Sequence, residues 1–129
     1  KSLIDIETIN LTDRFVDKVK YTGYIDRMEL NNFYVNLSKI AEDREVRLLH
    51  RKRAVRPIFN AGDIIDSHEF YMEVSDSEIK NLLKNNSKYK FKIGDEICCT
   101  IYDKSKMFNM FPKKTIELGG MIENEYIQN

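Results

Sequence analysis

The sequence predicts a mainly β fold of the α+β class, a small antiparallel barrel of five to six strands that carries one helix. Three segments in the second half of the chain support this prediction. Residues 70–75, 91–103 and 114–122 each alternate between apolar and polar side chains, and a period of two residues is typical of a half-buried strand. A helix is predicted between the first and second of these strands. This order is that of a closed barrel if the first half supplies the other strands.

The helix is predicted from its start signal and its apolar face. Ser75 and Glu78 have the spacing of a capping box, in which each side chain bonds to the backbone N–H of the other residue. The apolar residues that follow on one helical face are Ile79, Leu82 and Leu83. The sequence Asn-Asn-Ser at 85–87 is expected to end the helix, because these residues favour turns.

The first strand is predicted over residues 15–30. Val19, Tyr21 and Ile25 share one phase of an alternating pattern in this segment. Gly23 interrupts the pattern, and a glycine inside a strand predicts a bulge or a sharp bend. A bent first strand of this length would serve both sides of a small barrel.

A hairpin is predicted at 31–32, where two Asn residues stand between alternating segments. Asn tolerates the positive φ that tight hairpin turns require. The second strand then covers 33–38. Its inward residues are Phe33, Val35 and Leu37, and Tyr34 is expected to face outward.

Residues 39–69 are a long insertion after the second strand, and the sequence leaves two interpretations of it open. The segment 39–55 is rich in good helix formers, which favours a helix capped by Ser38. The alternative makes 45–53 a strand. That strand would place Val46, Leu48 and His50 on one face. Pro57 is expected to end either element, and 61–63 (Ala-Gly-Asp) is expected to be a turn.

The remaining segments complete the predicted domain organisation. Residues 1–14 are interpreted as an N-terminal arm or linker, 15–122 as a single domain, and 123–129 as a polar tail. A loop over 104–112 is expected to join the last two strands. Because the chain starts at Lys1 rather than Met, we expect it to be part of a longer protein.

The predicted order of elements resembles the OB-like fold, the barrel of oligonucleotide- and oligosaccharide-binding proteins. That fold has five strands with a helix between the third and the fourth. The resemblance covers 15–122 and rests on element order alone. The chain departs from the pattern at 39–69, where the OB barrel has a short hairpin. The resemblance implies a binding face on the strands, although many unrelated functions share one fold.

The charge balance excludes one class of nucleic-acid-binding protein. In 129 residues, 21 Lys and Arg are matched by 21 Asp and Glu. Proteins that hold nucleic acid with their whole surface need many uncompensated phosphate contacts. A local basic patch is still compatible with a net charge of zero.

Composition also bears on the compartment and the source. No apolar segment approaches the roughly 18 residues of a membrane-spanning helix, so we expect no membrane partner. The two cysteines, Cys98 and Cys99, are adjacent, and neighbours on a strand point to opposite faces. They are expected to be reduced, which predicts an intracellular, cytoplasmic protein. The abundance of Lys, Ile and Asn favours an AT-rich genome, bacterial or phage.

A basic segment at 44–56 is the first candidate binding site. It holds six basic residues and one acidic residue in a chain of zero net charge. The residues expected to contact phosphates are Arg47, Arg51, Lys52, Arg53 and Arg56, because Arg offers planar bidentate donors. The alternative is a solvated face that pairs with the acidic stretches at 63–69 and 5–7.

Outward aromatic residues are the second candidate. Tyr34 and Tyr71 would lie near each other on adjacent strands of the predicted barrel, and Phe108 would lie on a loop beside them. Stacking of a base on such a ring contributes about 1–3 kcal/mol. The alternative is that the two tyrosines cover the surface or pack under the insertion.

The loop at 104–112 is the third candidate. Its apolar residues are Met107, Phe108, Met110 and Phe111, set among lysines. Met and Phe suit adaptable contacts with a protein, so these four residues are the predicted partner-binding or self-association site. The alternative is that the loop folds back and plugs the end of the barrel.

Signals for catalysis are poor. The sequence has no glycine-rich phosphate loop, no zinc-ligand spacing and no nucleophile motif. The one acidic and histidine cluster, formed by Asp63, Asp66, His68 and Glu69, is of a kind that solvated loops often contain. We therefore expect no catalytic residue, no metal and no cofactor, and the sequence favours a protein that is not an enzyme.

The sequence as a whole predicts a non-catalytic binding module that contacts single-stranded DNA or RNA through its basic segment and surface aromatics. The alternative is a protein–protein interaction, assembly or adaptor domain of a phage, plasmid or bacterial system. Zero net charge and the Met/Phe loop favour the alternative.

Overall fold

The computed structural model describes residues 3–108 and 111–126. These residues form three helices and six strands. The helices are α1 (Leu3–Thr22), α2 (Arg27–Ile40) and α3 (Asp76–Asn85). The strands are β1 (Tyr24–Asp26), β2 (Arg44–Asn60), β3 (Asp63–Val74), β4 (Lys88–Lys90), β5 (Glu96–Phe108) and β6 (Phe111–Met121).

The strands form two antiparallel sheets. β1 pairs with β4, and the larger sheet has the order β3-β2-β5-β6. β3 and β6 lie at the two edges of the larger sheet, so the described strands do not close into the predicted barrel. The fold is a mixed α+β fold in which α1 and α2 pack on the larger sheet.

A single hydrophobic core lies between the sheet and the helices. The buried residues from the sheet include Val46, Leu48, Ile97, Cys99 and Ile101. Those from the first two helices are Phe15, Val16, Val19, Leu30, Phe33 and Leu37. His50 is buried on the same face of β2 as Val46 and Leu48. The opposite face of the sheet, here called the outer face, carries Arg47, Leu49 and Arg51.

The predicted strand over 15–30 is wrong, because α1 extends to Thr22 and α2 begins at Arg27. The buried residues of α1 are Thr8, Thr12, Phe15, Val16 and Val19, which recur with a helical rather than a strand period. Gly23 ends this helix instead of bending a strand. Its φ is +81°, and its N–H donates to the Val19 carbonyl at 2.8 Å, as at a helix C-terminus.

The predicted hairpin at 31–32 and strand at 33–38 are also wrong, because both segments lie within α2. The Asp26 carboxylate caps α2 by accepting from the backbone N–H groups of the second and third residues of the helix. The buried residues of α2 are Leu30, Phe33 and Leu37, which follow the i, i+3, i+7 pattern of one helical face. The turn was predicted wrongly because Asn31 and Asn32, a pair typical of turns, are exposed polar residues of the helix.

Residues 44–60 and 63–69 of the insertion are strands, so the strand interpretation of 45–53 is correct and the helix interpretation is wrong. β2 and β3 form a hairpin whose two turn residues, Ala61 and Gly62, have φ values of +52° and +87°. Positive φ at both central residues fits a type I′ turn, whose twist matches that of the strands. Pro57 does not end the strand; it lies within β2, opposite Ser67.

The helix predicted in the second half is confirmed. Ser75 is the N-cap of α3, and its hydroxyl accepts from the Glu78 N–H. Ile79 and Leu83 are buried, whereas Leu82 is half exposed. The helix ends at Asn85, as the Asn-Asn-Ser sequence predicts.

The last two strands differ in length from the prediction. β5 begins at Glu96, because 91–95 turns through Gly94 at a φ of +93°. Most of the predicted loop at 104–112 belongs to a β5–β6 hairpin, in which Phe108 lies opposite Phe111. The segment that follows β6 contacts α1, because the Glu123 N–H donates to the Lys20 carbonyl at 2.9 Å.

Across the described residues, no helix has the length and apolar character needed to span a bilayer.

Candidate functional site

The β2–β3 hairpin extends beyond the sheet as a two-stranded ribbon. β5 pairs with β2 only as far as Arg51, which lies opposite Glu96, whereas β3 pairs with β2 as far as Asn60. The segment 52–72, here called the arm, therefore has only its own two strands. At about 3.3 Å per residue, the arm projects by about 25 Å.

The arm exposes large apolar side chains on both of its faces. Six of them are between 42% and 66% exposed: Val55, Ile58, Phe59, Ile64, Ile65 and Met72. Because side chains alternate along a strand, Val55 and Phe59 lie on one face and Ile58 on the other. Phe59 and Ile64 lie opposite each other beside the turn. A bulge accompanies them, since the register shifts between Ile58 and Phe59.

Charge is divided between the two strands of the arm. β2 contributes the basic residues Lys52, Arg53 and Arg56, and β3 contributes the acidic residues Asp63, Asp66 and Glu69. Arg53 and Glu69 form an ion pair across the ribbon. The arm is therefore neutral overall, with its acidic residues concentrated near the tip.

A buried hydrogen-bond network holds the base of the arm. The Asp95 carboxylate accepts from the Arg53 backbone N–H at 2.9 Å and from the Lys92 backbone N–H at 3.0 Å. It also bonds to Nε2 of His50 at 2.7 Å. Nδ1 of His50 lies 2.7 Å from the Tyr89 hydroxyl. The network joins the last core residues of β2 to the first residues of the arm.

The pKa values in this network indicate a neutral imidazole beside an ionised carboxylate. Burial lowers the pKa of His50, and the hydrogen bond to Asp95 offsets this effect only in part. Burial raises the pKa of Asp95, but the hydrogen bonds from the Lys92 and Arg53 N–H groups together with the interaction with His50 outweigh this effect, so the net shift is downward. Burial raises the pKa of Tyr89 to about 12. His50 thus donates from Nε2 to Asp95, and the Tyr89 O–H donates to Nδ1.

Four of the six basic residues at 44–56 are ion-paired within the chain. Arg44 is largely but not fully buried; it lies 2.6 Å from Asp103 and 3.8 Å from Asp5. The other three pairs are Arg47 with Glu45, Arg51 with Glu96 and Arg53 with Glu69. These pairs lower the uncompensated charge of the segment that was the first candidate site.

Two of these arginines lie over aromatic rings on the outer face. The Arg47 guanidinium is 4.8 Å from the centre of the Tyr102 ring, and the Arg51 guanidinium is 5.0 Å from that of Tyr71. On the arm, Arg56 lies 5.4 Å from the centre of the Phe70 ring. Such cation–π contacts stabilise a defined arginine geometry.

The two predicted stacking tyrosines are not brought together. Tyr71 is on β3, whereas Tyr34 is on α2, tilted against Phe33 and covered by the Lys80 ammonium at 5.2 Å. Burial raises the pKa of Tyr34, and its hydroxyl has no hydrogen-bond partner among the described residues. The pairing of Tyr34 with Tyr71 therefore came from assigning α2 as a strand.

Three of the four predicted partner-binding residues lie in the described part of the β5–β6 hairpin, beside its tip. Met107, Phe108 and Phe111 belong to its two strands, and Met110 lies outside the described residues. Since β5 runs antiparallel to β2, this tip and the arm are at opposite ends of the sheet.

Neither cysteine has the environment of an activated nucleophile. Burial raises the pKa of the Cys99 thiol to about 12. Burial also raises the pKa of Cys98, whose S–H donates to Glu117 at 3.4 Å. The acidic and histidine cluster at 63–69 is spread along an extended strand, and no three His, Cys, Asp or Glu residues in the described part of the chain are placed to hold a metal ion.

A second surface feature is a groove between α1 and α2. Its floor contains Phe15 and Phe33, whose rings stack 4.7 Å apart. Its rim includes Arg14, Lys18 and Glu29, and the last two form an ion pair at 2.5 Å. The volume of the groove is about 210 Å³. Here this feature is called the α1–α2 groove.

The exposed apolar tip of the arm was not recognised from the sequence, although a signal was present. Ile58 and Phe59 precede the turn at Ala61 and Gly62, and Ile64 and Ile65 follow it. Paired apolar residues on both sides of a tight turn are unusual at a solvent-exposed hairpin end. Comparison with protein-family models, with curated proteins and with solved structures finds no match to this chain.

Proposed function

We propose that this chain is a non-catalytic protein-interaction module that assembles with further copies of itself through the arm. The observation that carries the proposal is the exposure of six large apolar side chains on a ribbon with no sheet behind it. An isolated two-stranded hairpin is marginally stable in water. A ribbon of this length with two apolar faces gains stability when a partner covers it, because burial removes apolar surface from water.

Electrostatics also favours association with a protein over association with a polyanion. The chain has a net charge of zero, so long-range repulsion between copies is weak. The arm is neutral, and Arg53 at its base is paired with Glu69. A polyanion would have to compete with the carboxylates that already hold these arginines.

Light scattering after size-exclusion chromatography, over a range of protein concentrations, tests the proposal. We expect the wild-type mass to rise above 15.3 kDa with concentration. The double substitution Phe59→Ser/Ile64→Ser should leave a monomer, because it removes the facing apolar pair at the tip. The matched control, Leu82→Ser/Ile93→Ser, removes two equally exposed apolar residues elsewhere and should assemble like the wild type.

The wild type is the decisive sample in this experiment. A mass of 15.3 kDa at every concentration would contradict assembly through the arm. An equal loss of assembly in the control double variant would also contradict assembly through the arm. It would show that any substitution of exposed apolar residues by Ser reduces assembly, wherever the residues lie. Circular dichroism of each variant shows that the fold is intact before the masses are compared.

Single-stranded nucleic acid is a second candidate ligand, favoured by the two arginine–tyrosine contacts on the outer face. Tyr102 with Arg47 and Tyr71 with Arg51 place planar cations and rings on one side of the sheet. Bases stack on rings of this kind, and Arg binds phosphate. Phe108, the third predicted stacking residue, follows Tyr102 on β5.

Fluorescence anisotropy with short labelled single strands at two salt concentrations tests the second candidate. The triple substitution Arg51/Lys52/Arg53→Ala should abolish low-salt binding and reduce its salt dependence. The matched control replaces three exposed lysines outside the segment, Lys39, Lys84 and Lys92, by Ala. Absence of low-salt binding by the wild type, or equal loss in both triple variants, would exclude a specific role for the basic segment.

A further inference from the structure

We infer that the tip of the arm of one copy docks into the α1–α2 groove of a second copy. The inference rests on the proposed function and deepens it by naming the surface of the second copy that receives the arm. The tip and the groove are different surfaces of the same chain. They match each other in size, polarity and charge.

The match in size and polarity concerns Phe59 and Ile64 at the tip. Both side chains are more than half exposed and lie opposite each other beside the turn. The groove has a volume of about 210 Å³ and a floor that contains Phe15 and Phe33. An apolar cavity of about 150 Å³ accommodates benzene. The groove can therefore receive the ring of Phe59 or the side chain of Ile64.

The match in charge concerns the acidic residues of the tip. Residues 57–67 contain Asp63 and Asp66 and no Lys or Arg. The rim of the groove carries two basic residues and one acidic residue: Arg14, Lys18 and Glu29. Since Lys18 pairs with Glu29, Arg14 is the cation that meets an incoming carboxylate. Asn32 and Asn36 line the same groove and offer amide groups to the backbone of the tip.

The two surfaces also determine the kind of assembly. A contact between different patches is heterologous, so each copy both donates a tip and receives one. Two copies that exchange tips reciprocally close into a two-fold dimer, whereas contacts that are not reciprocal build larger rings or open chains. In each case we expect the mean mass to rise with concentration.

Charge reversal on one surface at a time tests the inference. The groove variant is Arg14→Glu, and the tip variant is Asp63→Lys/Asp66→Lys. Each variant alone places like charges at its own contact, which should raise the protein concentration needed for assembly by about tenfold or more. An equimolar mixture restores opposite charges at both kinds of contact, so it should assemble as the wild type does. Lys39→Glu, a reversal at an exposed site outside the groove, should have no effect.

The outcomes separate this inference from the proposed function. Loss of assembly in each variant alone, together with wild-type assembly in the equimolar mixture, supports docking in the groove. If either the groove variant or the tip variant assembles as the wild type does, the groove is not the receiving surface. Assembly through the arm would still stand in that case. Dispersal without recovery in the mixture would overturn docking in the groove as well, because the two charges would then not face each other. A monomeric wild type contradicts the proposed function itself.

Discussion

His50 and Asp95 are joined by a hydrogen bond of 2.7 Å between Nε2 and Oδ2, and both side chains are almost completely buried. The two residues are 45 positions apart in the chain. Asp95 also accepts from the Arg53 backbone N–H, which lies where β2 leaves the sheet. The pair therefore connects the core to the base of the arm.

The first prediction is that stability falls in mild acid because of His50. Burial lowers the pKa of His50 in the folded state below its ordinary value of 6.5. As pH falls below 6.5, the unfolded chain binds the proton first, so the free energy of unfolding decreases until the folded pKa is reached. Urea unfolding between pH values of about 5 and 8 should show this loss. The lowered pKa of Asp95 adds a further loss at still lower pH, below its ordinary 3.8.

The chain offers a matched control, since it contains two histidines. His50→Gln removes the titrating group and should flatten the dependence on pH between about 5 and 7. His68→Gln alters an exposed histidine on the arm and should leave the wild-type slope. Identical slopes for the wild type and His50→Gln would show that another group causes the acid sensitivity.

The second prediction distinguishes two adjacent glycines of β6. A Cβ atom at Gly119 would lie 2.4 Å from the Ile97 carbonyl oxygen, which the sheet holds in place. A Cβ atom at Gly120 would meet only the flexible Lys20 side chain, at 3.0 Å. Gly119→Ala should therefore destabilise the fold by about 1–3 kcal/mol, and Gly120→Ala by no more than about 0.5 kcal/mol.

Chemical denaturation of the two alanine variants measures this difference directly. Because the substitutions are chemically identical and adjacent in sequence, their effects on the unfolded chain are closely matched. Equal midpoints for the two variants would contradict the close approach of β6 to the β5 backbone at Gly119.

Local signals predicted the elements that depend on local interactions. The α3 helix was predictable because Ser75 caps it and its apolar residues follow at helical spacing. The alternation of Val46, Leu48 and His50 likewise fitted a strand. In contrast, α2 was predicted as a strand because Asn31 and Asn32, on its exposed surface, form a pair that is typical of a turn. The open sheet could not be predicted, since it depends on which distant strands pair.

The candidate site was predictable only in part for the same reason. The basic segment was visible, and so were the acidic stretches that supply Glu69 and Asp5, but its other partners Asp103 and Glu96 are distant in sequence and were not predicted. The contact of His50 with Asp95 joins two segments with no common motif. The apolar residues around the turn were visible, but their exposure depends on β5 beginning at Glu96, which leaves the arm without a third strand.

The third prediction concerns the two thiols. Cys99 is fully buried and its pKa is raised to about 12, so it should not react with a maleimide until the chain unfolds. Cys98 is half-buried and should react slowly in the native state, faster as pH rises, because burial raises its pKa too. Mass spectrometry of digested protein gives the rate at each position. Equal native-state rates at the two cysteines would contradict their placement on opposite faces of β5.

The fourth prediction is that Asp95→Asn loosens the arm more than the core. The substitution leaves an amide N–H₂ where a carboxylate accepted from His50, Lys92 and Arg53, so at least one buried donor loses its partner. Loss of a buried hydrogen bond of this kind costs about 1–3 kcal/mol. Hydrogen exchange should accelerate first for the amides of 50–56 and 70–74, while α3 keeps its protection.

Asp43→Asn is the control for this experiment, because Asp43 is exposed and lies outside both the arm and the α1–α2 groove. It changes the same functional group without touching the base of the arm, so exchange should match the wild type. Faster exchange spread evenly over the whole chain in Asp95→Asn would indicate global destabilisation and contradict a local tether. Selective acceleration at the arm would show that Asp95 stabilises the base of the arm locally.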